Sequence, residues 1–213
     1  MSIEALKEQA RRHEQKEQWD KALDLYEQAI SRLSGDETPD ISLYNRAGDL
    51  ATRLGRVEQA VRHYERAVDL YVEAELPNNA IAVCKKVLRN VPDRHQVFLR
   101  MGQIRAAQGF LPDARANFLE YAGRMQAAGE IDEAFRALIE FADLAPDDHE
   151  IRLSLAAQLQ QHERVDEAVQ QLIQAHQVLT RRGLIDQAAE VEEQIRALDP
   201  GAVFGGTPSD TVS

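Results

Sequence analysis

Apolar residues recur along this chain at intervals of three and four, with polar residues between them, and no stretch alternates with period two for long enough to build a strand. The spacing predicts an all-helical protein. The segment LIDQAAEVEEQIRAL shows the pattern well: Leu184, Ile185, Ala188, Val191, Ile195 and Leu198 form one apolar stripe, with carboxylates and amides between them. Glycine and proline fall at the ends of such segments, where they turn or stop a helix. Between these breaks the helices are expected over 3–15, 20–33, 41–54, 57–75, 77–90, 94–108, 111–128, 130–144, 148–162, 165–182 and 184–198, eleven in all. The run SGDETPD at 34–40 is the longest polar break, and Pro39-Asp40 suits the start of the next helix.

The segments also repeat. AVRHYERAV begins at Ala60, ARANFLEYA at Ala114 and AVQQLIQAH at Ala168, each 54 residues after the last. A second small anchor follows 20 positions later, at Ala80, Ala134 and Ala188, and each unit closes on a proline, at Pro92, Pro146 and Pro200. A fixed period of this length means one supersecondary unit stacked on its copies to bury a continuous core. The expected organisation is a helical hairpin over 1–33, a polar connection over 34–40, three units of three helices and 54 residues over 41–200, and a flexible tail over 201–213. Gly55 and Gly109 end the first helix of their units, and Gly129 and Gly183 end the second; Glu75 and Glu163 stand in matching turns without glycine. Ala60, Ala114 and Ala168, facing Gly48, Gly102 and Ala156 on the preceding helix, let the two approach closely, with Tyr64, Phe118 and Leu172 filling the adjoining space.

These residues meet a known pattern. A small residue, an aromatic four later and an alanine three after that appear as Ala22-Tyr26-Ala29 and Ala60-Tyr64-Ala67. An aromatic, a glycine four later and another seven on appear as Tyr44-Gly48-Gly55 and Phe98-Gly102-Gly109; Trp19 precedes Ala22 by three, and the closing prolines fit. Over residues 3–200 the chain resembles the tetratricopeptide repeat family, although that family's unit has two helices and about 34 residues. The middle helix of each 54-residue unit is therefore expected to serve two overlapping repeats, so that the inner face alternates in composition. The resemblance implies a right-handed α-solenoid of about eleven helices, with residues 1–33 as a hairpin of the same type. It also implies a non-catalytic adaptor that holds a peptide or helix of a protein partner. Carried over residue by residue, the inner face of the first helices presents Lys7, Arg11, Asn45, Asp49 and Arg53 as partner-binding residues. The family's lysine-and-asparagine clamp for chaperone tails fits Lys7, but Arg11 stands where an asparagine is expected and Asn45 is one place early.

Composition narrows the remaining classes. A net charge of −11 disfavours non-specific nucleic-acid binding, which needs a basic surface to release counterions. The charge is uneven: Lys85, Lys86, Arg89, Arg94, Arg100 and Arg105 form a basic stretch, and 130–150 an acidic one. No apolar run is long enough to span a membrane, and no signal-peptide core begins the chain, so a cytoplasmic and bacterial-type setting is expected. The one cysteine, Cys84, falls on the apolar side of AIAVCKKVL and reads as a buried thiol. His13-Glu14, His149-Glu150 and His162-Glu163 each begin like a zinc-protease motif, but the second histidine is Glu17, Leu153 and Asp166 instead, so no metal site is expected. GAVFGGT at 201–207 has no lysine for a phosphate loop. Asp132-Glu133 and Asp147-Asp148 lie at helix starts, where the helix dipole explains them. No catalytic set and no cofactor is expected. Two other functions stay open: a structural subunit that self-associates, for which the stripe of the last helix is the candidate surface, and a regulator whose superhelix responds to peptide.

Overall fold

The structure, a computed structural model, describes residues 1–33 and 40–203. The polar connection up to Pro39 and the tail from 204 onward lie outside the described residues. Among the described residues there are eleven helices and no strand: α1 (Ile3–Gln15), α2 (Trp19–Ile30), α3 (Ile41–Arg53), α4 (Val57–Glu73), α5 (Pro77–Asn90), α6 (Gln96–Ala107), α7 (Leu111–Ala127), α8 (Ile131–Leu144), α9 (His149–Gln161), α10 (Val165–Arg181) and α11 (Ile185–Leu198). They form two compact units, Met1–Asn117 and Phe118–Ser213. In the first, each of α1 to α5 packs on the next; in the second, each of α8 to α10 does the same. Burial thus comes from neighbours in sequence, as in a quasi-one-dimensional array.

Seven hairpin turns share one mechanism. Glu17, Gly55, Glu75, Gly109, Gly129, Glu163 and Gly183 all have φ between 55° and 83°. At each, this residue's N–H returns to the carbonyl three back, and the next N–H reaches five back, as in Gly55→Thr52 and Arg56→Ala51 at 3.0 and 2.8 Å. That pair of bonds satisfies carbonyls the helix end leaves open. Glu75 and Glu163 take the same left-handed backbone as the glycines, and Glu17 does so in the N-terminal hairpin. The other helix ends stop differently. Val91, Ala145 and Asp199 precede Pro92, Pro146 and Pro200 and leave the helical region, with ψ of 79°, 62° and 95°, since a following proline disfavours helical backbone.

Small residues set the helix spacing. Ala10, Ala22, Ala47, Ala67, Ala80, Ala134, Ala156, Ala168 and Ala175 are almost wholly buried, and Tyr64, Phe118 and Leu172 fill the space beside them. A Cβ on Gly48 would lie 2.6 Å from Cε1 of Tyr64, so α3 approaches α4 at a distance only glycine permits. The middle helix α4 packs on both α3 and α5, and α10 on both α9 and α11, which gives each two buried faces. Two expectations are settled by the packing. The second helix stops at Ile30, not Leu33, because Ser31 caps it and returns its hydroxyl to the Gln28 carbonyl at 2.9 Å. The apolar stripe of α11 is turned inward: Ala188, Val191 and Ile195 are buried, leaving Leu184 and Ile185 exposed.

Candidate functional site

In the first unit, α1, α2 and α3 leave a groove of about 560 Å³ between them. From α1 it takes Lys7, Arg11 and Glu14, successive residues of one helical face, and from α3 Leu43, Arg46 and Arg53. The turn at Glu17 brings Trp19 and then Tyr26 of α2 to its wall. Of the five residues predicted to bind a partner, Lys7, Arg11 and Arg53 meet here. Asn45 and Asp49 do not line the groove. Asn45 donates Nδ2 to the Tyr71 hydroxyl at 3.0 Å, and Asp49 accepts from the Tyr64 hydroxyl and from Lys86 Nζ, both at 2.7 Å.

The floor of the groove is a buried polar network. Glu14 continues the buried stripe of Leu6 and Ala10 and has a side chain 7% exposed. A carboxylate there needs partners, since an unpaired buried charge is costly. It accepts from the Tyr26 hydroxyl at 2.7 Å and from the Arg46 guanidinium. Burial, then the bond to Glu14, pushes the Tyr26 phenol up to about 12. The Arg46 guanidinium is held more firmly protonated, first by its bond to Glu14. Neither group titrates near neutral pH, so the network is a fixed scaffold.

The cations differ in what they have left to offer. Lys7 Nζ donates to Asp40 and to Glu4, each at 2.7 Å, and the Asp40 bond first, then Glu4, raises its pKa. Burial of Asp40 works against ionisation, but hydrogen bonds from Lys7 and Ser42 outweigh it and hold the carboxyl below its ordinary range. This pair ties α1 to the N-cap of α3, where Asp40 accepts from the Ser42 N–H at 3.0 Å. Arg11 and Arg53, by contrast, have no carboxylate partner among the described residues. The Arg53 guanidinium lies 4.0 Å over the Trp19 ring, an arrangement that orients its planar fork while leaving its N–H edge unengaged. Four cations and one carboxylate line this groove in a chain of net charge −11. Its chemistry is that of an acceptor for carboxylate groups.

Glu14, Trp19, Tyr26 and Arg46 are groove residues that pattern reasoning did not single out as binding residues. The signal was Glu14 itself, a carboxylate four residues after Ala10 on an apolar stripe, which calls for a cation from another helix. Elsewhere, Cys84 is 2% exposed, and burial pushes its thiol up to about 12, which suits an inert packing residue. Among the described residues no three His, Cys, Asp or Glu side chains gather as metal ligands, and no helix is long and apolar enough to cross a membrane.

Comparison with known proteins gives one family match, over part of the chain. The family model described as tetratricopeptide repeat matches residues 7–71. No curated protein matches the chain. Among solved structures, the chain is 17% identical to a putative kinesin light chain with nearly identical TPR-like repeats from Podosopora anserina, covering 92% of this chain and 94% of that one at a TM-score of 0.39. It is 16% identical to PilW, a type IV pilus biogenesis factor, covering 94% of each at 0.38. It is 15% identical to YrrB, a TPR protein with an unusual peptide-binding site, covering 88% and 90% at 0.26. Likenesses this distant add nothing to what the helices already show. The groove is built from helices that fall largely within the matched residues 7–71, and it is over this stretch that the chain is similar to the tetratricopeptide repeat.

Proposed function

We propose that this protein is a non-catalytic adaptor whose α1–α3 groove holds an acidic segment of a protein partner. The observation that carries the reading is the state of Arg11 and Arg53: two guanidiniums on one groove, free of carboxylate partners among the described residues, one of them stacked on Trp19. Tetratricopeptide-repeat proteins bind protein partners, and the groove supplies both the charge and the apolar wall such a segment needs. A groove of this size supports transient binding, with Kd of about 1–100 μM. A cytoplasmic setting belongs to the same reading, supported by a single, buried cysteine that forms no disulfide.

Affinity capture tests it. The chain and its Arg11→Glu/Arg53→Glu variant are immobilised side by side and exposed to extract of the native host. A partner retained by the first and lost by the second supports the groove. Equal recovery by both places binding elsewhere, with the basic stretch from Lys85 to Arg105 the next region to test. The alternative, a self-associating structural subunit, has less to stand on now that the stripe of α11 packs inward. Sedimentation that shows growth of the free chain with concentration would revive it.

A further inference from the structure

The third repeat departs from the other two at a buried position of α9. Residues 54 apart are equivalent, and the place held by the rings of Tyr44 and Phe98 is held in α9 by Arg152. Arg152 is 4% exposed. Its Nη1 donates to Gln171 Oε1 at 2.9 Å, and its Nη2 to the Ala142 carbonyl at 2.7 Å and to Asp143 at 3.2 Å. Its Nε, also buried, has no acceptor. A guanidinium taken out of water with one N–H unsatisfied is a poor packing element, and the ring of the other two copies would avoid both penalties. Packing alone therefore does not account for Arg152.

Arg152 lines a pocket of about 520 Å³ whose other walls include Gln170, Ile173, Gln174, Gln177 and Arg181 of α10. The three glutamines stand on one helical face, and their amides have no hydrogen-bond partner among the described residues. The equivalent positions carry Arg62, Arg66 and Asp69 in the first repeat and Ala116, Glu120 and Gly123 in the second, so the amide row is peculiar to the third. From the first glutamine to the last is about 10 Å of helix axis, the span of roughly three residues of extended chain. A side-chain amide both donates and accepts, which matches a peptide unit and favours no particular side chain. Arg181, one turn further on, is 3.7 Å from Asp147, and both are well exposed, so that pair exchanges readily for another carboxylate.

We propose that the second unit carries a separate site for an extended peptide segment, gripped along its backbone by Gln170, Gln174 and Gln177. A backbone carbonyl or carboxylate of the segment meets Arg152, and a carboxylate side chain meets Arg181. The site is independent of the α1–α3 groove and stands whether or not that groove binds.

The test uses the full chain carrying Arg11→Glu/Arg53→Glu, so that the first groove is silent. The probe is a fluorescein-labelled octapeptide of alternating serine and glutamate, followed by anisotropy. Saturable binding is expected, weakened at least about 10-fold by adding Arg152→Phe and equally by adding Gln174→Ala/Gln177→Ala. Arg152→Phe restores the ring of the other repeats, so its melting temperature should hold or rise while binding falls. Should it fail to fold, the glutamine pair, which lies at the surface, decides alone. Absence of binding, or affinity unchanged in these variants, overturns the proposal. Full displacement of the probe by millimolar sodium acetate also overturns it, since that marks a site for a lone carboxylate and not for a peptide.

Discussion

Three glutamates occupy backbone conformations that favour glycine, and the consequence is measurable. Glu17, Glu75 and Glu163 have φ of 55°, 56° and 59° in turns whose counterparts are Gly55, Gly109, Gly129 and Gly183. An L-residue there costs about 1–2 kcal/mol, of which glycine's greater unfolded freedom returns roughly half. Glu163→Gly should therefore stabilise the chain by about 0.5–1 kcal/mol, read as a higher denaturant midpoint at unchanged slope. The Lys7–Asp40 pair sets a second test, in pH. Asp40 titrates below its ordinary 3.8 in the folded chain, so its contribution is present above that value and lost as pH falls through the depressed one. Lys7 titrates above its ordinary 10.5, so its share is present below that value and lost as pH rises through the raised one. Asp40→Asn should lower the melting temperature at pH 7, and the difference from the parent chain should close under strong acid. A difference that persists undiminished at pH 2 would mean that the pair contributes no ionic stabilisation.

At the scale of the helix, legibility followed the physics of each signal. The period of three and four located all eleven helices, because every one buries an apolar stripe, and proline marked the ends at Asn90, Leu144 and Leu198. The turns were legible where glycine stood and less so at Glu75 and Glu163, since a left-handed residue without glycine leaves no local trace; there the 54-residue period supplied the answer. The end of α2 was misplaced because Leu33 continues the apolar pattern beyond the last helical turn. Three of the five residues expected to bind a partner line the groove. A face can be read from spacing, which brought Lys7, Arg11 and Arg53 to one groove. Which cation is already spent depends on carboxylates 33 or 32 residues away in sequence, as with Lys7–Asp40 and Arg46–Glu14, and no local pattern encodes that. Packing of α3 on α4 gives the prediction that belongs here. Gly48→Ala pushes a methyl into the Tyr64 ring, which is held by its hydroxyl on Asp49 and so cannot swing aside cheaply. A loss of about 1–3 kcal/mol is expected, and a change within 0.5 kcal/mol would show that the two helices separate without strain.

At the scale of the whole molecule, an acidic chain places guanidiniums in a groove of each unit. The first unit collects Arg11 and Arg53 beside Trp19; the second collects an amide row beside Arg152 and Arg181. Each unit is stacked from sequence neighbours, so a binding variant in one should leave the stability of the other nearly untouched. The most direct measurement exploits the fact that Trp19 is the chain's single tryptophan and forms the groove wall beneath Arg53. Titrating the chain with an unlabelled acidic peptide, while following tryptophan emission, should give a saturable change. The midpoint should rise with added salt, and Arg11→Glu, which leaves the Trp19–Arg53 stack in place, should raise it by about 10-fold. Emission that stays flat through millimolar peptide, or a midpoint indifferent to Arg11→Glu, would contradict the assignment of the α1–α3 groove as the partner-binding site.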